Sequence, residues 1–369
     1  MNNFYDFIVI GAGISGCTFA SSLNKRLSDA SILLIEHGRR IGGRATTRKS
    51  RKNQVLEFDH GLPSISLSNQ TSKDILKLIY PLINSKKLVD ISNDILFMNE
   101  LGFFNKSYIH EKVYRGFPFM INFCEEIINQ SINPSKINFL FQTLIKSIKR
   151  VNDLWEIKGN NGRLIKSKTL ILSSSLIAHP RCLKILETNS LPLRDAFILG
   201  KDEVVDSVLR DTKKLTYIKR KIFIFLVSNL NLVQKFNHKY LQIVFTKVIR
   251  EYLNLERIVF QGQPDRSMII ILHCSYLNNP PAIDFEYIHQ SLISLFVNDR
   301  IFLDMFFHAR LLDEMHWRAS QPLNHLLSKE LQWSSSSKIG FCGDWFDFNN
   351  CGRVESAMKS SIRLTKLIN

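Results

Sequence analysis

Apolar runs and the breaks between them organise the start of the chain. Phe4–Ile10 reads as a short buried strand. Gly11-Ala12-Gly13-Ile14-Ser15-Gly16 interrupts it, and residues 17–27, small and apolar, follow a helical pattern. Residues 31–35 form a second apolar strand that ends at Glu36. Further on, residues 154–158 and 163–165 flank the turn Gly159-Asn160-Asn161-Gly162, an antiparallel excursion within 149–173. Residues 169–172 are apolar without alternation, which suits a strand inside a parallel sheet. Residues 221–227, 241–245, 257–260 and 268–272 also read as strands, and 284–297 as an amphipathic helix. At the far end, residues 339–345 read as a strand closing on Gly343-Asp344, and a last helix opens near Gly352 and runs to Ile368.

Length and composition narrow the class. The 369 residues imply two to three domains at roughly 150 residues each. With 45% hydrophobic and 22% charged residues, the chain is globular and able to enclose a bulky cofactor. Lys and Arg number 49 against 33 Asp and Glu, a formal charge of +16. The basic residues are spread along the whole chain, with short clusters at 48–52 and 219–221 and no interleaved aromatics. They read as a solvated surface that attracts anions, with no specific nucleic-acid partner. No apolar run is long enough for a transmembrane segment, and the N-terminus lacks a signal-peptide pattern. Six cysteines, at 17, 124, 182, 274, 342 and 351, form no CxxC pair and no zinc spacing with histidine, so no metal is expected. Reduced thiols and a cytoplasmic setting follow.

Candidate chemistry concentrates where the first strand turns into the first helix. Gly11 permits the tight turn, Gly13 lets a pyrophosphate approach the backbone, and Gly16 allows close packing of helix on sheet. Ala12, Ile14 and Ser15 complete the turn, whose backbone N–H groups and helix dipole face the phosphates. Glu36, twenty residues after Gly16, accepts hydrogen bonds from ribose hydroxyls and disfavours a 2′-phosphate. The next loop carries Arg40, Gly42, Gly43 and Arg44. Its two glycines turn the chain back over the pyrophosphate, Arg44 neutralises it, and Arg40 lies along the adenosine.

This second Gly-Gly-Arg element resembles the flavin-dependent amine oxidase superfamily and so implies FAD. The C-terminal block is similar to the same superfamily. There the resemblance implies that Gly343 and Asp344 contact the ribityl chain and that the amides of Val354 and Glu355 face the flavin ring. The elements Glu57-Phe58-Asp59-His60-Gly61, Tyr114-Arg115-Gly116-Phe117-Pro118-Phe119-Met120 and His316-Trp317-Arg318-Ala319-Ser320-Gln321-Pro322 resemble the renalase-like branch of NAD/FAD-dependent oxidoreductases. Two departures stand out. Leu62-Pro63-Ser64 replaces a frequent Ala-Gln-Tyr, and Ser360-Ser361 replaces a frequent Ser-Gly.

The implied fold is α/β, a Rossmann-like FAD-binding domain of glutathione reductase/amine oxidase type with a mixed α+β substrate domain. The FAD domain would be discontinuous, over 1–70, 138–180 and 335–369, and the substrate domain would draw on 71–137 and 181–334. Ile145 is a candidate for backbone contact to adenine. In flavin chemistry the ring takes the hydride, so the protein needs only to position a substrate and exclude water. Trp317 and Trp345, with Phe346, are candidates for an aromatic wall, and His60 and His316 for positioning or proton transfer. The expected activity is FAD-dependent oxidation of a small molecule, an amine or a dihydropyridine, with oxygen reoxidising the flavin. A desaturase or isomerase of an apolar substrate and a non-catalytic FAD-binding protein remain alternatives. Oligomeric state is not legible.

Overall fold

The structure is a computed structural model that describes residues 3–51, 54–105, 111–276, 285–324, 326–346 and 353–368. Cys351 and Gly352 therefore lie outside the described residues. Two large sheets dominate. The first is built on five parallel strands in the spatial order Ile137–Leu140, Ile32–Ile35, Phe4–Ile10, Leu164–Leu172 and Ile339–Phe341. Residues from both ends of the chain thus meet in one sheet. All four residues of Ile32–Ile35 are buried, which is why the strand reads as uninterrupted apolar sequence.

Leu164–Leu172 serves two partners. Its first half pairs antiparallel with Leu154–Gly159, and its last three residues pair parallel with Ile339–Phe341. Sequence alone separates 163–165 from 169–172 across a polar centre. The structure runs the strand unbroken, because Ser167 is buried and its hydroxyl donates to the carbonyl of Thr169. The excursion is completed by Ile145–Val151, antiparallel to Leu154–Gly159.

One face of this sheet is covered by the helices Ile14–Asn24, Lys73–Asn84, Ile121–Asn129 and Val354–Leu367, whose apolar residues share a core with Val9, Leu34 and Ile171. On the other face Cys182, Leu186, Leu193, Val205 and Leu209 pack against Ile8, Leu33, Leu170 and Phe341. The helices Arg181–Leu186 and Glu203–Thr212 therefore rest on the first sheet, whereas the sequence alone groups 181–334 with the substrate domain.

The second sheet has seven strands in the order Arg310–Pro322, Tyr217–Val227, Met268–Tyr276, Leu255–Gly262, Tyr240–Phe245, Ile95–Met98 and Phe104–Asn105. Its central strands alternate, apart from bulges. Phe223, Phe225, Phe260, Ile270 and Leu272 face a core closed by the helices Phe285–Leu295 and Arg300–Phe307. Ile222, Ile224, Val259, Ile269 and Ile271 face the other way, onto Phe58 and Leu56. That second face is the one turned toward the loops of the dinucleotide-type sheet.

Candidate active site

The glycine turn is built as its spacing demands. A Cβ on Gly16 would fall 2.1 Å from the carbonyl oxygen of Gly11, so only glycine lets this helix sit so close to the strand. Gly11 has φ +107°, the left-handed region that favours glycine. The helix Ile14–Asn24 begins with no side-chain cap and no acid in its first turn, which leaves its first N–H groups, including those beside Ile14 and Ser15, for a ligand. Glu36 closes the turn from the second strand. One carboxylate oxygen accepts from the Ala12 N–H at 2.9 Å and the other from the Gly38 N–H at 2.7 Å.

The Gly-Gly-Arg loop lies directly on this turn. Gly42 bridges to Gly13, and its N–H donates to the Ala12 carbonyl at 2.8 Å. Gly42 has φ +116° and Gly43 φ +56°, so neither position suits a side chain. Arg44 then reaches both distant parts of the chain. Its guanidinium donates to Asp344 at 2.7 Å and to the Ser320 carbonyl at 2.7 Å. Burial opposes its charge, but Asp344 offsets that and raises its pKa. Protein surrounds Arg44, yet 41% of its side chain stays open to solvent. Gly343, at φ +144°, donates its N–H to Ser360 Oγ at 3.1 Å. Ser361, at the other departure from the family pattern, shares a hydrogen bond with Ser15 at 2.7 Å. The two serines thus tie the last helix to the first.

His60 sits over this junction. A Cβ on the next residue, Gly61, would meet the Arg44 carbonyl at 2.1 Å, and Leu62 N–H donates to the same carbonyl at 2.7 Å. His60 stacks on Trp317, ring centres 5.5 Å apart and planes 18° apart. Strand pairing places Trp317 beside Arg220, and the next row on that face reads Met315, Ile222, His273 and Arg257. Burial, then the charge of Arg48, lowers the pKa of His60 to about 4. Burial, then Arg257, lowers that of His273 to about 3. Both rings are therefore neutral at pH 7. His60 Nδ1, His273 Nε2 and Trp317 Nε1 are buried without a hydrogen-bond partner, a state that costs free energy unless a ligand supplies one.

Around them runs a satisfied polar frame. Asp59 accepts from Thr47 at 2.6 Å and from the Met120 N–H at 3.0 Å, and its own N–H donates to Gln261 at 3.0 Å. Burial raises its pKa to about 6, against the pull of those bonds and of Arg115. Glu256 is held by Arg220 at 2.7 Å and Arg257 at 2.5 Å.

Several sequence-based candidates fall elsewhere. His316 is exposed and pairs in register with Lys221. It points away from Trp317 because neighbours on a strand face opposite sides. Trp345 is not a wall of the cleft. It is 2% exposed, its Nε1 donates to the Cys342 carbonyl at 2.9 Å, and it packs with Phe341 and Phe346 in the sheet core. Arg40 reaches toward Glu57, 3.9 Å away. Ile145 is buried at the start of its strand, two residues beyond Thr143, whose N–H donates to the Glu36 carbonyl. Val354 opens the last helix, and Glu355 behind it is buried with one carboxylate oxygen unpartnered. His273, Arg220 and Arg181 belong to no motif and were missed. Among the described residues no group of His, Cys, Asp and Glu is placed to hold a metal, and no helix is long and apolar enough to cross a membrane.

Residues 9–78 match the family model described as an NAD(P)-binding Rossmann-like domain. An uncharacterized protein of Methanocaldococcus jannaschii is 30% identical over 250 residues, 59% of this chain and 63% of that protein. The match spans less than two thirds of the relative's length. Among solved structures, a proposed protoporphyrinogen oxidase from Exiguobacterium has a TM-score of 0.63 at 10% identity, over 100% of this chain and 99% of that one. A fatty acid isomerase from P. acnes has a TM-score of 0.62 at 11% identity, over 100% and 99%. A tetracycline destructase has a TM-score of 0.51 at 16% identity, over 100% and 82%. At these identities the likeness is one of fold. The protein is an α/β protein with a Rossmann-like domain of the NAD(P)-binding type joined to a mixed sheet-and-helix unit.

Proposed function

We propose that the protein is an FAD-dependent oxidoreductase that takes a hydride from a small substrate, an amine or a dihydropyridine, in the manner of the renalase-like branch. The observation that carries the reading is the meeting of chain ends. Glu36 sits on the glycine turn, and Arg44, from the loop lying on that turn, bonds to Asp344, so one extended ligand can be held from adenosine to ribityl chain. The residues fit such a ligand: the helix start is uncapped, the crossing of the two glycine loops is clear of side chains, and unpartnered nitrogens lie beside the cleft. On this reading Gly11, Ala12, Gly13, Ile14, Ser15 and Gly16 hold the diphosphate, Glu36 the ribose, and Gly343 and Asp344 the ribityl chain. The helix start at Val354 and Glu355 faces the ring.

Bound FAD would supply a two-electron acceptor, and oxygen would reoxidise it in an oxidase. The chain's own part is to position and to dehydrate. Trp317 and His60 present a flat wall, and the apolar row of Ile222 and Met315 excludes water from it. His60 and His273, both neutral, offer hydrogen bonds without placing a charge beside the substrate. The motif residues read as holding FAD would then lie within 1–70, 138–180 and 335–369.

The test is an absorbance spectrum of the purified protein, followed by anaerobic mixing. Flavin bands are expected, and either an amine or a reduced nicotinamide should bleach them. A colourless protein that takes up no FAD refutes the cofactor; flavin that no member of either class reduces refutes the substrate assignment.

A further inference from the structure

We infer that Arg181 is a second diphosphate-holding arginine, outside every recognised motif, that works beside Arg44; this rests on the dinucleotide reading above. Arg181 opens the short helix Arg181–Leu186, just past the end of the central strand Leu164–Leu172. Its backbone is fixed: its N–H donates to His179 Nδ1 at 3.0 Å, and the other ring nitrogen of His179 lies 2.9 Å from the Leu215 carbonyl. Its guanidinium lies over the ring of Tyr217, 4.8 Å from the centre. The Tyr217 hydroxyl is itself hydrogen-bonded to Ser175. Its backbone is thus held by His179 and its guanidinium by Tyr217.

What it is aimed at carries the inference. Arg181 has no ion pair and no side-chain hydrogen bond among the described residues, and its Nε is buried without a partner. Its charge is felt alongside those of Arg44 and Asp344, while burial and Arg44 both work against it. Tyr217, over which Arg181 lies, pairs with Pro322, two residues from the Ser320 whose carbonyl Arg44 holds, and the Asp344 carboxylate is already bonded to Arg44 at 2.7 Å. A half-buried cation left in this state costs free energy unless an anion joins it. Both arginines follow the carboxyl ends of parallel strands, Arg44 after Ile32–Ile35 and Arg181 after Leu164–Leu172, and open α/β sheets bind ligands beyond those ends. Arg44 itself comes from the loop that bridges to the phosphate turn. An anion that reaches Arg44, Arg181 and the start of the first helix together is a diphosphate.

The experiment is calorimetric titration of the apoprotein with FAD, ADP and riboflavin, for the wild type, Arg181→Met and Arg181→Lys, each checked for an unchanged melting temperature. ADP carries the diphosphate without the flavin, and riboflavin the flavin without the diphosphate. We expect Arg181→Met to weaken FAD and ADP about tenfold or more, as loss of a charged contact would, to leave riboflavin unchanged, and to flatten the salt dependence of ADP binding. Arg181→Lys should restore part of the affinity. Unchanged ADP affinity in Arg181→Met overturns the inference, and so does an equal loss for riboflavin. A wild type that binds ADP but not FAD refutes the flavin reading while leaving the Arg181 assignment standing; one that binds neither refutes both.

Discussion

Asp59 is enclosed by protein, and its environment favours the neutral carboxyl, with a pKa raised to about 6 from the ordinary 3.8. The native state therefore holds a proton that the unfolded chain releases. Stability from this group is full below the unfolded value and is lost as pH rises through 3.8 toward 6. The total is about 3 kcal/mol for two pKa units. Asp59→Asn, always neutral, keeps an acceptor for Thr47 and Met120. Its stability relative to the wild type should rise between about pH 4 and pH 6 and then level off. Urea melts of both proteins across that range check this, and a constant difference refutes it. His60 acts in the opposite sense. With its pKa depressed to about 4, it costs stability as pH falls below the usual histidine range, which is why the variant must be compared with the wild type at each pH. On the proposed reading Glu36 holds the ribose of the dinucleotide. Glu36→Ala should lose about 1.5–3 kcal/mol of FAD affinity, the scale of a hydrogen bond to a charged group. Retention of FAD on dialysis equal to wild type would count against its role.

The first helix depends on a single missing side chain. A Cβ at Gly16 would strike a backbone carbonyl, whereas one at Gly162, at φ +75°, meets nothing within 4 Å. Gly16→Ala should therefore either unfold the domain or push the helix off the strand and abolish dinucleotide binding. Gly162→Ala should cost only about 1 kcal/mol of backbone strain. Denaturant midpoints of the two variants test the contrast, and equal losses would show that the close approach is unimportant. Such contacts explain how legible each element was. The glycine turn, Glu36 and the Gly-Gly-Arg loop could be read because each depends on local spacing. Four of the seven strands of the second sheet could be read from their apolar runs, whereas the polar edge strand Arg310–Pro322 and the short strands Ile95–Met98 and Phe104–Asn105 could not. His316 and Trp317 were taken together as one motif, yet a strand turns adjacent residues to opposite faces, and their roles separate. His273 lies one residue beyond the apolar run 268–272, and only pairing with Ile222 and Arg257 brings it to the site. Arg181 is one of many basic residues, and its meaning comes from Tyr217, 36 positions along the chain, which no local pattern announces. Trp345 was misplaced for the converse reason: proximity to Asp344 in sequence says nothing of direction, and its indole folds back over Gly343.

Across the whole molecule, one chain of polar contacts links the two sheets. Glu256 holds Arg220, Arg220 donates to Ser320 Oγ at 2.7 Å, the Ser320 carbonyl accepts from Arg44, and Arg44 holds Asp344. Ser320 belongs to the long strand Arg310–Pro322 at the edge of the second sheet, so Arg44 cannot be displaced without disturbing that strand. A ligand that engages Arg44 therefore acts on both sheets at once. At a hundred times its dissociation constant, a ligand specific for the native state adds about 2.7 kcal/mol of stability. If the polar chain couples the sheets, saturating FAD should slow hydrogen exchange in Tyr217–Val227 and Arg310–Pro322 as well as in Phe4–Ile10 and Leu164–Leu172. Arg220→Met should weaken the coupling: it leaves Glu256 with Arg257 alone and Ser320 Oγ with the Ile218 carbonyl alone. In that variant the protection conferred by FAD should shrink in the second sheet and persist in the first. Protection confined to the first sheet in the wild type would mean that the contacts through Ser320 are too weak to transmit binding, and that the second sheet opens independently of the dinucleotide.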